Sequence, residues 1–180
     1  MKRCMLFLAL GAALAAPAGA QRREFLTDGE IDQIREAQDP NQRLKLYMQF
    51  ARQRIAAVEK VLAGNEPNRG QFIHEQIEEY DRIIEAADYN VDQALKKRHL
   101  FRKGLEAALK AEPEFLQALE AFRARNPKDL EEYRFILDQA IESTRDSLQG
   151  LREALGKQPK GKKEEKEERE ERKQEGVRKN

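Results

Sequence analysis

The chain has no tryptophan, one cysteine and two histidines among its 180 residues. The cysteine, Cys4, lies in the first twenty residues, so the rest of the chain has no disulfide, no thiol nucleophile and no cysteine metal ligand. No serine or threonine lies near a histidine in sequence. None lies in a tight glycine turn of the kind that presents a catalytic nucleophile. No glycine-rich stretch resembles a phosphate-binding loop. The sequence therefore predicts a protein without enzyme activity and without a cofactor.

The histidines give little support to a metal site. His74 and Glu78 are four residues apart on a predicted helix, which is a spacing that could hold a metal ion, but a solvated histidine beside the apolar stripe is the favoured interpretation. His99 falls on the same predicted helix, roughly 37 Å from His74 at 1.5 Å per residue. The two cannot share a site in one monomer, and we predict no metal site.

Long hydrophobic runs are absent except near the start of the chain. Residues 5–16 are uncharged and mostly apolar, Lys2 and Arg3 precede them, and a small-x-small tripeptide stands at 18–20. This pattern predicts a secretory signal peptide over 1–20, with an uncleaved anchor as the alternative. The run is shorter than the roughly 20 residues of a membrane-spanning helix, so we expect no membrane span after cleavage. The expected location is the periplasm or cell envelope.

An excess of charge of one sign is also lacking. The chain has 34 Lys and Arg against 33 Asp and Glu, and 37% of its residues are charged. No zone is basic enough to indicate nucleic acid as a partner. The last zone, 157–180, has ten Lys and Arg, seven Glu and one large aliphatic residue, Val177, so it predicts a disordered tail. We assign the helical domain to 21–156.

Helical periodicity dominates the chain between 27 and 155, and no segment alternates as a strand does. Four places carry helix-start signals: Thr27-x-x-Glu30 as a capping box, Asp39-Pro40, Asn126-Pro127 and, more weakly, Glu112-Pro113. The predicted helices span 28–37, 40–63, 70–110, 113–125 and 127–155.

The third segment, 70–110, has a coiled-coil-like stripe of apolar residues that alternate by four and three positions. We therefore expect one helix of about 60 Å, with a kink at 88–90 as the alternative. Arg98 is the one charged residue on the stripe. The predicted fold is all-α: an elongated antiparallel three-helix bundle with two short bracing helices.

The densest basic cluster of the predicted bundle lies in the C-terminal half of this helix. It contains Lys96, Lys97, Arg98, Arg102 and Lys103, and all of these except Arg98 are the candidate site residues. The helix dipole favours cations near a C-terminus, so a solvated face explains the cluster without a ligand. The alternative is a surface that binds an anionic partner, such as a lipid head group or an acidic protein.

Eleven residues near the start of the predicted domain resemble a known family. Leu26-Thr27-Asp28-Gly29-Glu30, followed by Gln33-Ile34-Arg35-Glu36, is similar to the Leu-Thr-x-x-Gln element of small periplasmic helical chaperones of the Spy/CpxP type. Glu30 stands where that element has Gln, and no second copy follows. A capping box gives the same pattern for local reasons. The resemblance implies a cradle-shaped dimer that binds unfolded proteins.

Together these observations predict a non-enzymatic exported helical protein that acts in interaction or scaffolding in the cell envelope. Its partner is an unknown protein or a second copy of itself. The alternative function is a periplasmic chaperone or stress-adaptor module that binds unfolded or anionic clients. An exposed apolar concave patch of more than a few hundred Å² would favour the chaperone.

Overall fold

The computed structural model describes residues 24–64, 68–125 and 127–159, which are helical with no strand. The predicted all-α class is therefore confirmed. The predicted signal peptide, 1–20, and most of the predicted tail, 160–180, lie outside the described residues. The helices are α1 Asp28–Glu36, α2 Pro40–Ala63, α3 Arg69–Lys96, α4 Arg102–Arg125 and α5 Arg134–Gly156, with a 3-10 turn at Leu130–Glu132.

The bundle of the described chain has four long helices rather than the three predicted. Helices α2 and α5 each pack against both α3 and α4, so α2 lies diagonally opposite α5. Arg52 and Glu114, near the middles of α2 and α4, form an ion pair of 2.8 Å. Tyr80 and Thr144, similarly placed on α3 and α5, form a buried hydrogen bond of 2.8 Å.

The directions of these helices follow from contacts at the helix ends. Asn41 and Gly104 join the first turns of α2 and α4, and Arg69 at the start of α3 pairs with Asp129, just before α5, at 2.8 Å. Helix α2 therefore runs parallel to α4, and α3 runs parallel to α5.

The predicted single helix over 70–110 is wrong, because α3 ends at Lys96. The Arg98 N–H donates to the carbonyl of Leu95, and the His99 N–H donates to the carbonyl of Ala94, both at 2.9 Å. This is the Schellman pattern, in which the residue past the cap is left-handed and usually glycine. Here that residue is Arg98, with φ of 56°. No glycine marks the end of the helix, so the sequence pattern did not reveal it.

At 88–90, where a kink was the predicted alternative, the structure shows that α3 continues without interruption. Its apolar face explains why. Ile84, Ala87 and Val91 are all buried in the core and keep the helix packed across the Asp88-Tyr89-Asn90 stretch. Tertiary packing therefore outweighs the weak helix propensity of these three residues.

Two predicted helix starts at prolines are also wrong. Pro113 lies inside α4, where its exposed ring costs a backbone hydrogen bond. The buried residues Ala108 and Phe115 lie on either side of it on one face, so packing continues the helix through the proline. Pro127 precedes a 3-10 turn, and α5 begins only at Arg134.

The start of α1 is built as predicted. The Thr27 side chain accepts the Glu30 amide at 3.3 Å, and the Glu30 carboxylate accepts the Thr27 amide at 2.8 Å. Glu30 also binds Arg54 of α2 at 2.7 Å, and Arg54 reaches Glu79 of α3 at 2.7 Å. Helix α1 is therefore attached to the bundle by a buried ion network as well as by apolar contacts.

The first turns of α2 and α4 meet at Gly104. Its N–H donates to the side-chain oxygen of Asn41 at 2.8 Å. A Cβ at this position would lie 3.0 Å from the Cα of Asn41, so the close approach favours glycine. This contact fixes the start of α4 beside α2, and with it the turn that joins α3 to α4.

Candidate anion-binding turn and buried carboxyl cluster

The structure places the four predicted site residues on two helices instead of one helix face. Lys96 ends α3, Lys97 follows it, and Lys103 lies in the first turn of α4; all three are exposed. Arg102 differs from them, because its side chain is 20% exposed and pairs with Glu106 at 2.9 Å. The argument from a seven-residue helical spacing between Lys96 and Lys103 is therefore wrong, although the turn keeps the three lysines at one end of the bundle.

The same turn adds residues that the sequence analysis did not select. Arg98 and His99 are exposed, and Leu100 is 72% exposed. We call Lys96, Lys97, Arg98, His99 and Lys103 the basic turn. The sequence did carry one signal of it, since Arg98 interrupted the apolar stripe. A charged residue on an apolar stripe indicates either an acidic partner across the bundle or the end of the buried face, and the structure shows Arg98 exposed past the end of α3.

The basic turn is held in place by the chain beyond α5. The side-chain oxygen of Gln158 accepts the Phe101 N–H at 3.0 Å, and its nitrogen donates to the carbonyl of His99 at 3.3 Å. Phe101 itself is buried in the core. The packed part of the chain therefore extends past residue 156, and it brings the exposed Lys157 to the same end of the bundle.

A groove beside the basic turn lies between the start of α2 and the end of α3. Its volume is about 320 Å³. Arg43, Lys97 and His99 contribute basic groups to its lining, and the side chains of Gln38, Asn90 and Gln93 contribute amides. Both kinds of group donate hydrogen bonds to an anion, so the groove extends the positive surface of the turn.

A second polar feature lies inside the bundle, where α3, α4 and α5 meet. The Ser147 hydroxyl oxygen is 2.7 Å from a carboxyl oxygen of Asp88 and 3.0 Å from one of Glu112. Glu112 is completely buried. A hydroxyl has one proton, so Ser147 can donate to only one of the two carboxyls. A protonated Glu112 that donates to Ser147, which in turn donates to Asp88, satisfies both contacts.

The pKa values agree with that arrangement. Burial, together with the charge of Asp88, raises the pKa of Glu112 to about 8, although the Ser147 hydrogen bond opposes the rise. Burial also raises the pKa of Asp88, to about 6, although the Ser147 hydrogen bond opposes the rise. At neutral pH the pair therefore carries one proton, on Glu112. The cluster can change its charge in response to pH. No sequence pattern indicated it, because Glu112 was interpreted as the cap of a helix that starts at Pro113.

His74 and Glu78 lie together on a groove between α3 and α5. Within the described parts of the chain, no group of three or more His, Cys, Asp and Glu side chains is placed to hold a metal ion. None of the helices that the structure describes is long and apolar enough to cross a membrane.

The large exposed apolar side chains of the described residues are spread over the molecule. Phe72 and Tyr89 are both on α3, roughly 25 Å apart along its axis. Leu100 lies in the basic turn, and Phe135 is at the start of α5. Phe72 points about 200° around α3 from His74, so it faces away from the groove that Phe135 lines. These four side chains do not form one apolar patch.

Comparison with known proteins adds no relative. No protein-family model, no curated protein and no solved structure matches this chain. Its function must therefore be inferred from its own geometry and charge.

Proposed function

We propose that this chain is a non-enzymatic exported interaction protein of the cell envelope, and that its basic turn binds an anionic partner. One observation carries the proposal. Arg98 occupies the left-handed position at the end of α3, exposed, between Lys97 and His99. The export part of the proposal rests on the signal-like pattern of residues 1–20.

The left-handed conformation has a cost that glycine would avoid. It costs an ordinary residue about 1 kcal/mol, because its Cβ crowds the following carbonyl. Strained backbone of this kind is concentrated at functional sites. An arginine at this position adds a long charged side chain to the tip of the turn, where a glycine would add stability and no charge.

The electrostatics of the turn favour an anion. Lys96, Lys97, Arg98 and Lys103 are exposed, and Lys157 lies beside them across Gln158. Summed fields from clustered charges raise the local concentration of an oppositely charged partner. The hydrogen bonds of Gln158 to the backbone of Phe101 and His99 hold the main chain of the turn in place before a partner arrives, which lowers the entropy cost of binding.

The alternative function, a periplasmic chaperone or stress-adaptor module, draws its support from the resemblance at residues 26–36. It needs a broad apolar surface for unfolded clients. The separation of Phe72, Tyr89, Leu100 and Phe135 favours the interaction protein over the chaperone. Dimerisation is compatible with both functions.

The test uses two anionic probes, vesicles containing phosphatidylglycerol and polyglutamate, with neutral phosphatidylcholine vesicles as the blank. Wild-type protein should bind one or both anionic probes, and binding should weaken as NaCl rises through 0.1 M, where the screening length is about 10 Å. Simultaneous change of Lys96, Lys97 and Lys103 to Glu should reduce binding at least tenfold. Co-sedimentation and fluorescence anisotropy measure the two probes.

The matched control changes Lys60, Lys110 and Lys128 to Glu, which alters net charge equally but at exposed positions outside the turn. Arg98→Gly is a further variant, because it should weaken binding while the thermal midpoint stays level or rises. Equal binding by the wild type and the first triple variant would refute the proposal. So would an equal loss in both triple variants, which would show dependence on net charge alone.

A further inference from the structure

We propose that the groove between α3 and α5 is a binding site for a primary alkylammonium group, with the Asp81 carboxylate as its anion. The groove has a volume of about 350 Å³ and lies apart from the basic turn. Its lining residues are His74, Glu78, Asp81, Arg82 and Glu85 of α3 and Phe135, Ile136 and Gln139 of α5. This site goes beyond the proposed function and does not depend on it.

Asp81 is oriented as a ligand for a hydrogen-bond donor. Its side chain lines the groove, yet the residue is only 2% exposed. Gln139 donates to one carboxyl oxygen at 2.6 Å, which fixes the rotation of the group. The other oxygen is buried and has no hydrogen-bond partner in the described structure. Buried carboxylate oxygens are normally satisfied, so this one indicates a donor that binds from the groove.

The charges around Asp81 favour a cation. Glu78 and Glu85 are three and four residues away on the same face of α3, and both line the groove. Arg82 also lines it, but its guanidinium lies over the ring of Phe25, 4.8 Å from the centroid. Three carboxylates and one guanidinium leave the groove with an excess of negative charge. A cation that enters the groove is therefore attracted by the other carboxylates of the wall as well as by Asp81.

The other wall of the groove fits an alkyl chain. Phe135 is 80% exposed at the edge of the groove, and Ile136 lies next to it. An aromatic ring attracts an ammonium group within about 6 Å of its centroid, and its face also packs against methylene groups. A small hydrated metal ion would gain nothing from this wall. The combination of a fixed carboxylate and an apolar wall therefore selects an organic ammonium.

The length of the acidic face suggests a diamine. Glu85 is seven positions after Glu78, so the two lie about 10 Å apart along the helix axis, with Asp81 between them. One ammonium group on Asp81 places a second, a few methylene groups away, near Glu78 or Glu85. A lysine side chain of a partner has the same ammonium group but only one charge. The diamine should therefore interact more strongly with Glu78 and Glu85 than the lysine does.

Isothermal titration calorimetry of the full chain tests the site. The probes are 1,4-diaminobutane, Nα-acetyl-lysine amide, the neutral isostere 1,4-butanediol and MgCl₂, each at 20 and 150 mM NaCl. We expect the wild type to bind the diamine with a stoichiometry of one, and at least tenfold more tightly than the diol or Mg²⁺. If the lysine amide binds more weakly than the diamine, the ligand is a free diamine. If it binds more tightly than the diamine, the ligand is a lysine side chain of a partner.

Three variants locate the binding. Asp81→Asn should lower the affinity at least tenfold. Its thermal midpoint without amine should not fall below that of the wild type, because the change removes a buried charge of which one oxygen lacks a hydrogen-bond partner. Phe135→Ala should lower the affinity several-fold with no change in stability, since the ring is mostly exposed. Glu59→Gln, an exposed carboxylate on α2, is the matched control and should bind as the wild type does.

Two results would overturn the proposal. One is equal affinity of the wild type and Asp81→Asn for the diamine while both are folded. The other is binding of Mg²⁺ or the diol as tight as that of the diamine. Neither result bears on the basic turn, because the triple lysine variant and the anionic probes test a different end of the molecule.

Discussion

Two groups of carboxyls in this bundle, each with one buried member, differ in the presence of a cation. Between α1, α2 and α3, Arg54 pairs with Glu30 and Glu79, each at 2.7 Å. Between α3, α4 and α5, Asp88 and Glu112 share the hydroxyl of Ser147. We call these the arginine network and the serine network.

In the arginine network, the cation reverses the effect of burial on the pKa of a carboxyl group. Burial acts to raise the pKa of Glu30, but the hydrogen bonds and charge of Arg54 and the capping bonds of Thr27 outweigh it, and the pKa falls below its ordinary value. In the serine network a hydroxyl gives too little compensation, so the pKa of Glu112 rises to about 8. At neutral pH Glu30 is thus charged in the arginine network, whereas Glu112 is protonated in the serine network.

The largest effect should come from removing the cation. Arg54→Ala leaves Glu30 and Glu79 without their partner, and breaking a buried ion pair in this way costs about 3–5 kcal/mol. We expect the free energy of unfolding, measured with urea at pH 7, to fall by about that amount. Helix α1 should also become accessible to protease, because Arg54 holds it through Glu30 and the carbonyl of Phe25.

Arg52→Ala is the matched control for Arg54→Ala. Arg52 is on the same helix and pairs with Glu114, but both side chains are about half exposed. Exposed pairs contribute at most about 1 kcal/mol. A loss of stability as large in Arg52→Ala as in Arg54→Ala would show that burial of the arginine network does not matter.

The next effect is the dependence of stability on pH in the serine network. Glu112 has a folded pKa of about 8, above its ordinary value of 4.5, so between these values the folded state holds a proton that the unfolded state has lost. The contribution of protonated Glu112 to the free energy of unfolding is therefore fully present below pH 4.5. It falls as pH rises and levels off above pH 8. We expect a loss on the order of 3 kcal/mol from pH 5 to pH 8.

Glu112→Gln separates this titration from others. Its amide keeps the size and hydrogen-bonding capacity of the protonated acid but cannot lose a proton. Its stability should follow only the smaller fall due to Asp88, which ends near pH 6. Urea unfolding at intervals of one pH unit measures both curves. Parallel curves for the wild type and the variant above pH 6 would mean that Glu112 is ionised in the folded protein.

The two networks also show what the sequence could predict and what it could not. The capping box at Thr27 and Glu30 is local, and it was predicted from residues three positions apart. The second role of Glu30, as the partner of Arg54, joins residues 24 positions apart and follows from the packing of α1 on α2. No local pattern distinguishes such a glutamate from a solvated one.

The same limit explains the error over 70–110. The apolar stripe continued across the turn because Phe101 and Leu105 are buried in the same core as Ile84 and Val91, although they lie on different helices. A stripe records which residues are buried, and it does not record where the chain reverses. The left-handed Arg98 marks the reversal in the structure, and its side chain gives no sign of that conformation. The residues of the basic turn were therefore found only in part.

The smallest of the expected effects comes from Ser147, which is the counterpart of Arg54 in the serine network. Ser147→Ala removes the hydroxyl but leaves Asp88 and Glu112 in place. We expect a loss of about 1.5 kcal/mol at pH 7, typical of a buried hydrogen bond to a charged group. Since the serine hydrogen bond lowers the pKa of Asp88, its removal should also move the Asp88 titration to higher pH.

The titration separates a specific role of Ser147 from simple loss of packing. Carbon-detected NMR of the Asp88 carboxyl in the wild type and in Ser147→Ala gives the midpoint directly. Ser143→Ala, four residues earlier on α5, is the control, and it should leave the midpoint unchanged. An unchanged midpoint in Ser147→Ala would show that burial and the neighbouring carboxylates set the pKa of Asp88 without the hydroxyl. The two networks would then differ in the presence of arginine, with no contribution from the hydroxyl.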